Sequence, residues 1–158
     1  MTAVKPNTAA IAISAAGPAD ESAIASLLRD AGLPHEDFAE HLANFLVARG
    51  AGEIVGAAGF EFHGGDALLR SLVVAPAHRG TGLGGELADR LTAEARRRGV
   101  RQFYLLTTTA EAFFARRGFR KIARQSVPAA IGDTREFKSL CPSSAICMTR
   151  AVQEEEAS

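Results

Sequence analysis

The chain has 158 residues and a mass of 16.6 kDa, the length of one ordinary domain. Hydrophobic residues make up 47% and charged residues 23%, a globular composition rather than a disordered one. Lys+Arg and Asp+Glu number 18 each, there is no Trp and a single Tyr, so neither a global field nor an aromatic surface is present to collect nucleic acid or an anionic membrane.

Met1 to Thr8 hold no charged head followed by a long apolar stretch, and no apolar run approaches the roughly 20 residues of a membrane helix. With two Cys there is no disulfide scaffold, and a reducing cytoplasm is the expected location. Residues 1–10 are expected to be a flexible lead-in, 11–150 a single domain, and 151–158 an acidic tail. Ile11-Ala12-Ile13 reads as a short strand. Pro18-Ala19-Asp20-Glu21 opens a helix, with Ile24, Leu27 and Leu28 at helical spacing and Gly32 and Pro34 as its stop. A second, short helix is expected over His35 to His41. Phe45–Ala48 and Ile54–Phe60 read as strands joined at Gly50-Ala51-Gly52, and Gly64-Gly65-Asp66 turns into a third, Ala67–Val74. Three strands with tight turns make an antiparallel meander.

Arg79-Gly80-Thr81-Gly82-Leu83-Gly84-Gly85 then runs into an amphipathic helix carrying Leu83, Leu87, Leu91 and Ala95 on one face. Phe103–Leu106 is a buried strand, Ala110–Arg116 a short helix closed by Gly118, and Phe119–Ala123 and Ser144–Met148 are the last strands. The order predicts a mixed sheet with helices on its faces.

The segment from Leu72 to Gly84 is the most informative. A strand ends at Pro76 and a glycine-rich turn starts a helix, so unpaired amides and the positive end of the helix dipole meet there. Glycines at 80, 82 and 84 let a phosphate reach the main chain. The same glycines also suit a tight turn without a ligand. A P-loop would need Lys and Ser/Thr where Gly85-Glu86 stand. A Rossmann site would need its loop on an early parallel strand, and here the loop follows a meander.

The run Leu72-Val73-Val74-Ala75-Pro76-Ala77-His78-Arg79-Gly80-Thr81-Gly82-Leu83-Gly84 resembles the GNAT N-acetyltransferases, whose hallmark is Arg/Gln-x-x-Gly-x-Gly/Ala after a Leu-x-Val strand. Thr107-Thr108-Thr109-Ala110-Glu111-Ala112-Phe113-Phe114, then Gly118-Phe119, is similar to their second signature. Thr107 stands at that signature's Asn and Phe114 at its Tyr. The resemblance implies a splayed, mostly antiparallel sheet flanked by helices, the acyl-CoA N-acyltransferase fold, with acetyl-CoA as co-substrate. It implies pantetheine pairing with Leu72, Val73 and Val74, pyrophosphate on the amides of Arg79, Gly80, Thr81, Gly82, Leu83 and Gly84, and cofactor contacts at Thr107 and Phe114. Ala67–Leu72, Leu105–Glu111 and Leu140–Ala145 resemble a narrower group, the arsenic-resistance N-acetyltransferase type.

Acetyl transfer to an amine needs a base, a polarised carbonyl and a proton for the leaving thiolate. Phe114 has no proton to give. Tyr104 is the one phenol and the candidate acid, or else a half-buried strand aromatic. Thr107 to Thr109 offer hydroxyls or helix N-caps. Glu61, between Phe60 and Phe62, is the candidate base, since an apolar setting strengthens a carboxylate's grip on a proton; otherwise it is an exposed strand-end acid. His63 stands beside a turn and is the lesser choice.

Arg70 shares strand parity with Leu72 and Val74 and either grips an acceptor's anionic group or else pairs with a structural acid or faces solvent. A bulge near Leu72 would bring Ser71 to the cleft instead. Cys141 and Cys147 are either structural thiols or a soft pair suited to trivalent arsenic; zinc spacing is lacking and no metal is expected. The expected function is acetyl-CoA-dependent N-acetylation of a small amine, an amino acid-like arsenical, by a protein whose exposed edge strands suit a homodimer. The rival is a non-catalytic sensor of a CoA compound or an arsenical.

Overall fold

Alternating polarity and turn chemistry account for most of the architecture in the computed structural model, which describes residues 10–152. The N-terminal lead-in up to Ala9 and the acidic run from Gln153 lie outside the described residues. The strands are β1 Ala12–Ala15, β2 Phe45–Gly50, β3 Glu53–His63, β4 Asp66–Val74, β5 Gln102–Thr107, β6 Arg120–Ile122 and β7 Ile146–Ala151. The helices are α1 Glu21–Asp30, α2 Leu83–Arg97, α3 Glu111–Arg116 and α4 Ala129–Gly132. The strands follow the order β1-β2-β3-β4-β5-β7-β6 in one sheet. β4 and β5 run parallel, while β1–β2, β2–β3, β5–β7 and β6–β7 are antiparallel. Ala51 and Gly52, with φ of 54° and 81°, make the left-handed two-residue turn that fits a twisted hairpin.

Two compact units divide the described residues. One contains those up to Gly59 together with Ser71–Leu91; the other contains Phe60–Arg70 and those from Thr92 on. β3, β4 and α2 each contribute to both.

In the first unit, α1 buries Ile24 and Leu28 against Phe38, Phe45, Val47, Ala57 and Val73. Gly59 faces Phe45 across the β2–β3 ladder, and a Cβ there would collide with that ring. Asp20, just before α1, takes a bidentate bond from Arg49 at 3.0 and 2.8 Å and a third from the Gly17 amide. The Arg49 hydrogen bond, with the Gly17 amide second, holds the Asp20 carboxyl below its ordinary range. The short helix expected over His35 to His41 forms later, as a 3-10 segment over Phe38–Asn44. Phe38 is only 2% exposed, so burial of its ring sets where that turn forms.

In the second unit, an aromatic row runs through the core. Phe60 meets Phe103 at 6.1 Å, Phe103 stacks on Phe119 at 6.4 Å, and Phe119 meets Phe114 edge-on at 5.4 Å. The last strand starts at Ile146, not Ser144, and runs to Ala151; the Val152 amide beyond it donates to the Arg101 carbonyl at 3.0 Å. Residues 124–143, which the periodicity left without elements, hold α4 and a π-helical turn over Glu136–Leu140.

Candidate functional site

The glycine loop follows β4 in the first unit. Pro76–His78 form one 3-10 turn, and the Arg79 amide donates back to the Pro76 carbonyl at 3.3 Å. The Arg79 side chain donates through Nε to the Val74 carbonyl at 2.9 Å. Arg79 therefore braces the loop against the strand end, which corrects the expectation that its amide faces a ligand. Thr81 Oγ1 donates to the His78 carbonyl at 2.6 Å, so that hydroxyl serves the turn too. Gly80 and Gly82 hold φ of 78° and 90°, a region that L side chains avoid. The bond from the Glu86 amide to the Gly82 carbonyl, 3.0 Å long, is the first turn of α2. The amides of Leu83, Gly84 and Gly85 precede it and have no partner within the helix. A Cβ built on Gly80 or Gly82 meets nothing within 4 Å. The loop thus sets an exposed turn, with left-handed Gly80 and Gly82 open in front, directly before the first amides of α2, a geometry that fits a pyrophosphate.

β4 leaves regular alternation at Ser71, whose φ of 62° is left-handed for a residue with a side chain. Strict alternation from Arg70 would bury Leu72 and Val74. Instead Val73 is 5% exposed and buried, and Leu72 and Val74 are half-buried. The parity expected for Arg70, Leu72 and Val74 is therefore corrected by a one-residue slip at Ser71. Ser71 itself is half-buried. The β4–β5 ladder joins Asp66–Leu68 to Gln102–Tyr104.

The second unit contains a buried ion cluster. Arg70 Nη1 donates to Glu61 Oε2 at 2.6 Å, and Arg70 Nη2 lies 3.2 Å from Glu136 Oε2. The Arg70 side chain is 0% exposed and both carboxylate side chains are 5% exposed. His63 Nε2 lies 3.5 Å from Glu61 Oε1. Two expectations change. Glu61 is neither an exposed strand-end acid nor an isolated carboxylate in an apolar setting. Arg70 engages carboxylates of this chain with both terminal nitrogens, so gripping an acceptor's anion does not fit its burial or its partners. Glu136 was invisible in the sequence. It lies in a stretch without hydrophobic periodicity, and nothing local distinguishes it from a surface acid.

Tyr104 lies half-buried on β5, between Leu68 of β4 and Thr149 of β7. Burial first, and the Asp66 charge next, push its phenol up from the ordinary value, so it keeps its proton at neutral pH. Thr107 Oγ1 accepts the Ala110 amide at 3.0 Å, a capping bond just ahead of α3. Phe114 is 5% exposed, packed edge-on against Phe113 and Phe119.

Burial first, then the Glu136 carboxylate, push the Cys141 thiol up to about 12. Burial raises Cys147 as well. A thiol must lose its proton to bind a soft metal or metalloid, so neither residue is poised for it. Iodoacetamide at pH 8 is expected to label Cys141 in the native protein on the order of 100-fold or more slowly than free cysteine, with denaturation restoring the rate. Fast native labelling, followed by mass spectrometry, would overturn that assignment.

Comparison with known proteins adds to this geometry. A family model described as an acetyltransferase (GNAT) domain matches residues 41–121, so the chain belongs to the GNAT acetyltransferase family. An uncharacterised N-acetyltransferase of Chlorobaculum tepidum is 31% identical over 94 residues, which cover 59% of this chain and 60% of that protein. Among solved structures, the N-acetylglutamate synthase of Neisseria gonorrhoeae, complexed with coenzyme A and N-acetyl-glutamate, superposes with a TM-score of 0.80 at 21% identity, covering 92% of this chain and 36% of that one. Rv2747 of Mycobacterium tuberculosis, solved with CoA, gives 0.76 at 26% identity over 89% of this chain and 98% of that one. The ribosomal-protein-S18-alanine N-acetyltransferase of Escherichia coli gives 0.71 at 21% identity over 92% and 96%. The chain thus spans about 60% of the Chlorobaculum relative and 36% of the Neisseria synthase chain. No helix among the described residues is long and apolar enough to cross a membrane.

Proposed function

We propose that this protein is an acetyl-CoA-dependent N-acetyltransferase acting on a small primary amine. The observation that carries the reading is the turn at Gly80 and Gly82, left-handed and open in front, followed by the first amides of α2. Acetyl-CoA would supply the activated acetyl thioester. The amides of Gly80 to Gly84 would hold its pyrophosphate, with Arg79 bracing the loop, and the main chain of Leu72, Val73 and Val74 would align its pantetheine arm. Glu61 would accept the ammonium proton of the acceptor, directly or through one water. Arg70 would fix the Glu61 carboxylate, and Ser71, at the break in β4, would face the acceptor. Tyr104, protonated at neutral pH, is the one phenol available to return a proton to the thiolate.

The Neisseria synthase structure holds N-acetyl-glutamate and the Escherichia coli enzyme is a ribosomal-protein-S18-alanine N-acetyltransferase, which favours an acceptor with an amino acid-like amine. The segments Ala67–Leu72, Leu105–Glu111 and Leu140–Ala145 support an arsenic-resistance setting, with an amino acid-like arsenical as acceptor. Phe114, which cannot give a proton, favours one rival, a CoA-compound sensor on the same fold. The two separate on incubation with acetyl-CoA and a panel of amino acids, an amino acid arsenical and an alanine-terminated peptide. Acetylated product by mass spectrometry, with matching release of free CoA thiol, supports the enzyme. Binding of acetyl-CoA without product from any amine supports the sensor.

Phe114→Tyr bears on the same point. The variant keeps the ring's packing against Phe113 and Phe119, and the added hydroxyl is expected to raise turnover by supplying an acid near the leaving sulfur. Steady-state rates at several pH values check this. A variant with normal acetyl-CoA affinity that is never faster would place the ring edge away from the thiolate.

A further inference from the structure

We infer that His63 is the proton-relay residue of the site, carrying the acceptor's proton from Glu61 to solvent. The inference rests on the reading of Glu61 as the base. A base that takes an ammonium proton must give it up before the next turnover. Glu61 is 4% exposed, which leaves water little access to that proton. Arg70, whose Nη1 lies 2.6 Å from Glu61 Oε2, does not take it, because a guanidinium stays protonated and has no lone pair to offer. An imidazole nitrogen has one.

The fold sets that imidazole beside the carboxylate. Glu61 and His63 stand two residues apart at the end of β3, so both side chains leave the same face of the strand. His63 Nε2 lies 3.5 Å from Glu61 Oε1. That is long for a hydrogen bond, and Nε2 is buried without a hydrogen-bond partner among the described residues. Buried polar atoms are ordinarily satisfied, and one that is not calls for a reason. A passing proton supplies it. Once Glu61 is protonated, its O–H has an acceptor close by; once the ring is protonated, its N–H has a carboxylate. The His63 side chain as a whole is 27% exposed, so with Nε2 buried the exposed surface belongs to its other atoms. β3 ends at His63, and the exposed Gly64 begins the turn. One edge of the ring therefore faces the buried acid while the rest reaches solvent. The ammonium gives a proton to the Glu61 carboxylate, the carboxylic acid gives it to Nε2, and the imidazolium returns one proton to water. The amine is left neutral for attack on the thioester, Glu61 ends ionised, and His63 ends neutral.

The test measures turnover of His63→Ala on the fastest amine of the panel, in dilute buffer, with and without added imidazole. The substitution is expected to lower kcat roughly tenfold to a hundredfold, within the reach of acid–base catalysis, with acetyl-CoA affinity unchanged. Added imidazole is expected to restore turnover in a saturable way, because a diffusible base takes over the lost ring's task. A purely structural loss would not respond to it. In a Glu61→Gln background, His63→Ala is expected to add no further loss and imidazole to have no effect, since the relay passes through Glu61. Should His63→Ala fail to fold, His63→Ser, which leaves similar space beside a polar group, supplies the same comparison. A folded variant with kcat within about twofold of wild type, or a loss that imidazole does not reverse, would overturn the inference. If Glu61→Gln is slow and His63→Ala is not, this inference alone falls. If Glu61→Gln is as fast as wild type, or if no amine is acetylated, the base assignment falls with it.

Discussion

Gly82→Val is expected to abolish acetyl-CoA binding while the protein stays folded. Gly82 has a φ of 90° and open space where a side chain would project. In the free protein the valine would therefore meet backbone strain but no collision, at a cost on the order of 1–3 kcal/mol. The bound state fares worse, because the branched side chain would stand between the loop amides and a pyrophosphate. Hydrogen bonds to a charged group contribute about 1.5–3 kcal/mol each, and 1.4 kcal/mol is a factor of ten in affinity. Loss of two such bonds lowers affinity by roughly a hundredfold or more. Titration calorimetry reads this directly, and a thermal melt confirms folding. Gly82→Ala separates the causes, since it brings similar strain with much less bulk and is expected to bind at intermediate strength. Unchanged affinity in folded Gly82→Val would make the loop a structural turn.

The loop was legible in the sequence because its chemistry is local. Pro76, the glycines at 80, 82 and 84 and the leucine stripe of α2 are near neighbours, and helix-start amides follow from chain geometry alone. The hairpin at Ala51-Gly52 was legible for the same reason. The Glu61–Arg70–Glu136 cluster was not, because it depends on separations of 9 and 66 residues along the chain, taken from the residue numbers. Burial of a charged residue contradicts its ordinary preference, so composition argues against it. Only its partner reveals why it is inside, and for Arg70 one partner lies in a π-helical turn that hydrophobic periodicity does not signal. The slip at Ser71 was foreseeable as an alternative near Leu72, but not as the outcome. A serine with positive φ has no signature in the sequence, and one such residue moved burial from Leu72 to Val73.

Arg70→Ala is expected to destabilise the protein by about 3–5 kcal/mol, the usual consequence of removing one partner from a buried ion pair. The variant would leave the Glu61 and Glu136 carboxylates, their side chains each 5% exposed, facing the space their cation had filled. For a chain of this length each kcal/mol corresponds to roughly 2–4 °C in Tm, so the melting temperature is expected to fall by about 10 °C. This loss precedes any effect on an acceptor's KM, because a guanidinium engaged by two internal carboxylates is not presented to an external anion. Replacing the whole cluster is expected to behave differently. Arg70→Met with Glu61→Leu and Glu136→Leu removes all three members of the cluster together, and such replacements are often neutral or stabilising. Near-native stability of the triple variant, with acetyl-CoA affinity kept, would mean that the fold does not require the cluster. Urea denaturation of Arg70→Ala and of the triple variant makes the comparison. An Arg70→Ala loss below about 1 kcal/mol would mean that the guanidinium is not what holds the two carboxylates in the interior.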